Sequence, residues 1–315
     1  MKRLRRGPIA AITAIALIAL AVPLLPLPDP LRVDAAHPLL APSWTHLLGQ
    51  DEYGRDVLSR VLWGARTSLS IAAVSVMFAC LFGISLGLIA GFLWDPAGCR
   101  TVRGVGMAIC FPPLVFALLV VAIFGPGAST LIPLLMVIYM PGFVHVVYAG
   151  VVSVRSMDYA EALRALGAPP SLIMLRTVVP NITRPVLVQL GFAATSALVL
   201  ESGLSFLGLG VVPPALSWGV MIGGARATMT QAPLLLLWPC AALSLTVLAM
   251  NMVCDALREA VDPHTLPALV HRRAAPTTSR TDAQPTGTAV VDVRNLSVEI
   301  KTPQGVIYPV RVFSL

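Results

Sequence analysis

Charge is what this chain has least of. Asp, Glu, Lys and Arg make up 12% of its 315 residues, where a soluble domain carries roughly 25%. So few ionic groups cannot cover a water-soluble protein of this size. With 57% hydrophobic residues and a mean hydropathy of +0.83, the solvent for most of the chain is lipid. Cysteine is thin as well. Cys80, Cys110, Cys240 and Cys254 sit in apolar stretches and Cys99 in a short loop; without Cys-x-x-Cys spacing or a His at ligand distance they read as small buried hydrophobes, and no metal site is expected. No G-x-S-x-G or H-E-x-x-H organises the scattered Ser, His and Asp residues, which makes an intramembrane enzyme the weakest reading. No G-x-x-x-x-G-K-[ST] loop is present to cradle nucleotide phosphates. ATP hydrolysis is therefore not expected of these residues, and neither is any cofactor. The net charge of +7 comes from short Lys/Arg clusters between apolar runs. It builds no basic face and points away from nucleic acid.

Apolar runs are abundant. A helix needs roughly 20 apolar residues to cross the hydrocarbon core, and six stretches supply them: 7–27, 66–95, two within 104–144 divided by Gly125, Pro126 and Gly127, one from Arg184 to about Gly208, and one within 226–255. The first follows Lys2, Arg3, Arg5 and Arg6, as a signal peptide would. Its core is too long and it has no small-residue cleavage site before Pro23, so an uncleaved span is expected. With the N-terminus inside, the inner segments hold Lys2, Arg3, Arg5, Arg6, Arg100, Arg103, Arg155, Arg164, Arg176, Arg184 and Arg258, against Arg32, Arg55, Arg60, Arg66 and Arg226 outside. That bias places the N-terminus in the cytoplasm.

Residues 156–181, SMDYAEALRALGAPPSLIMLRTVVPN, are too polar for a span and too patterned for a slack loop. Asp158 is placed to cap a helix bearing Glu161, a capping-box variant. Gly167 stands where a left-handed residue would end it. Tyr159, Ala162, Leu163 and Leu166 then share one face, and Pro169 and Pro170 open a second helix that Pro180 is expected to stop. The apolar stripe suits either a headgroup surface or a partner protein.

The order of residues here resembles the EAA loop of ABC importer permeases, E-A-A-x3-G-x9-I-x-L-P. Glu161, Ala162, Gly167 and Pro180 keep its spacing, while Leu163, Thr177 and Val179 stand where the pattern has Ala, Ile and Leu. Three further blocks, DEYGRDVLSRVLWGARTSL (51–69), ESGLSFLGLGVVPPALSWGVMI (201–222) and LREAVDPH (257–264), resemble the dipeptide, oligopeptide and nickel branch of that family, in particular the subunit with one short N-terminal span before the core. The resemblance covers residues 47–264. It implies an all-α transmembrane, six-helix type I ABC importer permease fold in the bacterial cytoplasmic membrane. Implied partners are a second homologous permease subunit, ABC ATPase subunits that bring ATP and Mg, and an extracytoplasmic substrate-binding protein. Residues 158–167 become the coupling helix docking the ATPase. The expected cargo is peptide; nickel or another small solute would leave nearly the same sequence, and an ATP-independent transporter or channel would need no coupling helix.

Other residues carry open readings. Charges and apolar residues over 51–69 suit an interfacial helix outside the membrane, contacting a binding protein or bracing the second span. Glu201, the one carboxylate deep in an apolar run, either faces a cavity or is structurally paired. His145 and Tyr148 either line the same path or pack. The 208–231 loop, through Pro213, Pro214 and Trp218, could meet the binding protein. The domain divisions expected are 1–46, a first span and outer loop; 47–264, the transmembrane domain; 265–288, a Pro/Thr/Ala-rich linker; and 289–315, whose alternating residues around Thr302 to Gly305 read as a β-hairpin. That tail resembles the first strands of a peptide-importer ATPase. It is expected either to open a permease–ATPase fusion or to be an adventitious extension.

Overall fold

The structure, a computed structural model, describes residues 19–34, 38–92, 112–261, 296–302 and 305–313, with residues 17, 102 and 104–106. The chain divides into two compact units, Met1–Val261 and Asp262–Leu315.

The first unit is helical. Helix α1, Val57–Phe92, has 36 residues and no proline, hence a length of ~54 Å, well beyond the roughly 30 Å hydrocarbon core. The expected interfacial helix over 51–69 is not a separate element. Residues 51–55 form a turn, Asp56 caps α1 by accepting the Ser59 N–H at 2.8 Å, and nothing breaks the helix from there into the membrane. Helices α2, Pro113–Phe124, and α3, Ala128–Arg155, are divided at Gly125 (φ 81°) and Gly127 (φ 150°), as the Gly-Pro-Gly signal predicts. A two-turn helix α4, Asp158–Ala165, leads to α5, Pro170–Ile173.

A π-helical turn, Met174–Val178, joins α5 to α6, Val179–Phe206. Pro180 therefore does not stop the second helix. It sits in the first turn of α6, where the widened turn accommodates its ring and missing donor. Helix α7, Trp218–Ala225, interrupts the outer loop, and α8, Leu234–Val261, closes the unit. Among the described residues, four helical stretches are long and apolar enough to cross a membrane: Val57–Gly91, Ala128–Arg155, Pro170–Phe206 and Leu234–Glu259. The first expected span falls largely on residues outside those described. The third is represented by α2, with residues 102 and 104–106 also helical.

A glycine stripe on α1 sets its packing against α3. A Cβ at Gly83, Gly87 or Gly91 would lie 2.4, 2.7 or 2.8 Å from the Cβ of Phe143, Val147 or Val151 on α3, so the two backbones approach as only small residues allow. The Arg155 guanidinium donates to the Gly91 carbonyl at the far end of this seam. Helix α6 packs against α1, α3, α7 and α8, burying Ala193, Ala197, Leu198 and Leu204 completely.

In the second unit the described residues form an antiparallel hairpin, β1 Leu296–Thr302 and β2 Gly305–Phe313, with Thr302 opposite Gly305 at the tip. This is the hairpin the alternation in the tail predicts. The linker 265–288 lies outside the described residues.

Candidate functional site: the two ends of the bundle

Helix α6 spans 28 residues, about 42 Å, and separates two assemblies of site residues. One lies around α4, which precedes it; the other lies where α6 ends.

At the α4 end, Leu166 is the C-cap and Gly167 adopts φ 75°. The Gly167 N–H donates to the Arg164 carbonyl at 2.9 Å and the Ala168 N–H to the Leu163 carbonyl at 3.0 Å, the paired bonds of a Schellman stop. The start differs from expectation. Met157 is the N-cap, with no side-chain cap; Asp158 is the first helical residue and Glu161 lies one turn in. No capping box forms, and both carboxylates instead act on the positive end of the helix dipole. Ala160 is fully buried beneath the helix, whereas Tyr159 is 43% and Leu166 83% exposed. Ala162 is exposed and Leu163 half-buried, so the apolar stripe faces away from its own bundle. Asn181, at the start of α6, donates to the Tyr159 hydroxyl at 3.5 Å and to the Thr177 carbonyl at 2.7 Å, tying α4 to the segment containing Pro180.

At the opposite end a cavity of about 540 Å³ opens between the 51–60 segment and the 208–228 region. Asp51 organises its charged wall. Its Oδ1 accepts the Tyr53 and Arg55 N–H groups at 2.9 Å each, and its Oδ2 pairs with Arg55 Nε at 2.7 Å and Arg60 Nε at 3.3 Å. These ion pairs close a turn rather than lining a helix face. Pro213 and Pro214 are exposed on the opposite wall. Trp218, expected among the contact residues, is not available for contact: it is 2% exposed, and its Nε1–H donates to the Val61 carbonyl at 3.0 Å.

The remaining expected site residues do not converge. Glu201 is fully buried and lines no described cavity. The Ser202 and Ser205 hydroxyls donate to its carboxylate at 3.2 and 2.8 Å, and Ser68 and Ser217 stand beside it. Sequence reasoning missed these partners, although Ser202 and Ser205 stand one and four positions after Glu201. His145 is exposed on α3 with Nδ1 2.7 Å from the Pro141 carbonyl, and Tyr148 is half-buried. Among the described residues no cluster of His, Cys, Asp or Glu could hold a metal ion.

The long apolar helices define the class, a multi-pass α-helical membrane protein. Residues 83–266 match the model of the family described as binding-protein-dependent transport system inner membrane component, and the chain belongs to this family. It is similar to the Di/tripeptide transport system permease protein DppC of Pseudomonas aeruginosa (strain UCBPP-PA14), 38% identical over 231 residues that cover 71% of this chain and 76% of that protein. The Glutathione transport system permease protein GsiD of Pectobacterium atrosepticum is 35% identical, covering 70% and 74%. The fold is that of the permease in the inward-facing MetNI methionine ABC transporter, with a TM-score of 0.53 and 17% identity over 65% of this chain and 96% of that one. The chain is thus a permease component of a bacterial inner-membrane transport system.

Proposed function

We propose that this chain is one half of the pore of an ATP-driven peptide importer. A second homologous permease completes the conduit. Separate ATPase domains bring ATP and Mg, an extracytoplasmic binding protein delivers the cargo, and the N-terminus is cytoplasmic. Peptide as the cargo is supported by the names of the similar permeases, which transport di- and tripeptides or glutathione.

The observation that carries this reading is the outward-turned stripe of α4. A two-turn helix is marginal in water by itself, and this one is fastened to the bundle through Ala160, Asn181 and its Schellman stop while Tyr159, Ala162 and Leu166 stay uncovered. Such a lever fits a groove on a cytoplasmic motor. Nucleotide-driven closure of two ATPases would draw two such helices together and turn the pore outward. Pro213 and Pro214, exposed beside the cavity at the other end, are the surface assigned to the binding protein. His145 and Tyr148 are assigned to the path.

The test is uptake of labelled peptide into vesicles carrying the whole assembly, with and without ATP. Gly167→Pro cannot adopt φ 75°, because the proline ring holds φ near −65°. It should abolish ATP-driven uptake while leaving membrane insertion intact. Unimpaired uptake removes the coupling role.

A further inference from the structure

The Glu201 cage has a directionality that packing alone does not require. An ionised carboxylate is an acceptor only; the Ser202 hydroxyl donates to it at 3.2 Å and that of Ser205 at 2.8 Å, with the hydroxyls of Ser68 and Ser217 beside them. All five residues are at most 3% exposed. Each hydroxyl has one proton, and giving it to Glu201 leaves the oxygen to accept. Three of them do so from backbone N–H groups of the outer segment: Ser205 from Val211 at 3.1 Å, Ser68 from Trp218 at 3.3 Å, and Ser217 from Val220 at 3.2 Å. One strut, through Ser205, therefore runs complete from backbone N–H to hydroxyl to carboxylate, and Ser68 and Ser217 bring two more N–H-accepting hydroxyls to the same group.

Helix stability does not account for the carboxylate. Glu201 lies five residues before the end of α6, far from the N-terminal turn where the dipole favours an anion. The surrounding backbone is built to reach it: a Cβ at Gly219 would meet the Ser202 carbonyl at 2.2 Å, and one at Gly210 the Ser205 Oγ at 2.2 Å. Two of the suspended residues, Val211 and Val220, line the 540 Å³ cavity, as does Ser205.

We infer that Glu201 is a positioning residue of the outer vestibule, hanging the cavity wall at residues 211–220 from α1 and α6 through seryl struts. The part of this inference that concerns a docked binding protein rests on the proposed function. Closing the cage sets the shape of the surface that such a protein meets; opening it frees the 211–220 wall while α1, α3 and α6 stay packed through their own apolar contacts. The requirement is for an acceptor on both sides of the group. Glutamine has the same shape, but its amide nitrogen donates, so at least one hydroxyl must reverse and compete with the N–H it was accepting.

Hydrogen–deuterium exchange resolved to single amides, on the full transport complex in lipid nanodiscs, tests the struts. Ser205→Ala, Ser68→Ala and Ser217→Ala should each speed exchange by about tenfold at one amide only, Val211, Trp218 or Val220 respectively, as loss of one hydrogen bond predicts. Glu201→Gln should speed at least one of the three and leave the amides of 183–200 unchanged. Equal acceleration throughout α6, or no change at the three amides in Glu201→Gln, overturns the inference, and the serine variants decide the matter if Glu201→Gln does not assemble. In the same preparations, the concentration of peptide-loaded binding protein giving half-maximal ATPase stimulation should rise about tenfold in Glu201→Gln with the maximal rate retained. A lowered maximal rate at unchanged half-maximal concentration rules out the vestibule role. Should the unmodified complex show no stimulation at all, the proposed function fails, and the exchange pattern still decides whether the struts exist.

Discussion

At the residue scale, Asp51 shows how nearby charges can be read correctly as partners and wrongly in geometry. Sequence spacing suggests ion pairs along a helix, since Asp51, Arg55 and neighbouring charges lie four or five positions apart. The structure instead folds 51–55 into a turn and uses both carboxylate oxygens there, one on backbone N–H groups and one on the guanidiniums of Arg55 and Arg60. Asp51→Asn keeps the acceptor for the backbone but places a neutral group beside Arg60, whose side chain is 8% exposed. Removing the carboxylate paired with a largely buried guanidinium is expected to cost roughly 2 to 4 kcal/mol. The check is denaturant unfolding of the purified chain in detergent; a loss no greater than that of Glu52→Gln, on the cavity wall but outside these bonds, would refute the hub. Trp218 teaches the same lesson. A lone Trp in a Pro- and Gly-rich outer loop signals an interfacial aromatic, and nothing in the order of residues reveals an acceptor 157 positions away at Val61.

At the scale of elements, the stop of α4 was legible and its start was not. Gly167 announces a left-handed C′ position because few other residues adopt one cheaply, whereas an Asp followed three residues on by Glu fits both a capping box and an acidic first turn. Pro180 misled for a related reason: a proline in a helical pattern ends, kinks or begins a helix, and the π turn that lets it begin α6 has no sequence signature. The seam between α1 and α3 could have been found, since Gly83, Gly87 and Gly91 recur every four residues in an apolar run, the small-residue spacing of close helix pairs. That seam makes a contrast prediction. Gly87→Ala forces a Cβ to within 2.7 Å of the Val147 Cβ and should destabilise the chain by about 1 to 3 kcal/mol through overpacking. Gly203→Ala, in α6 with no atom within 4 Å of the added Cβ, should be neutral or stabilising by up to ~1 kcal/mol because alanine is the better helix former. Thermal unfolding in detergent compares the two, and equal midpoints would show that the seam is not a tight contact.

At the scale of the whole molecule, the family and the membrane class followed from composition, run lengths and ordered motif blocks. What connects one end of the bundle to the other required the folded chain. Orientation is the remaining global property, and charge bears on it: basic residues concentrate in the segments on the α4 side, which carry Arg155, Arg164, Arg176 and Arg184, while the cavity end sets Arg55 and Arg60 against Asp51 and Glu52. Positively charged loops are retained on the cytoplasmic side during insertion, which supports the proposed orientation, with α4 inside and the cavity outside. In a variant whose native cysteines are replaced by serine or alanine, Ala215→Cys and Leu166→Cys place one thiol at each end; both native residues are exposed. A membrane-impermeant maleimide applied to intact spheroplasts should label the cavity-end thiol at once and the α4 thiol only after the membrane is opened. The reverse pattern would put the exposed stripe of α4 on the side without ATP, and no nucleotide-driven motor could then act on it.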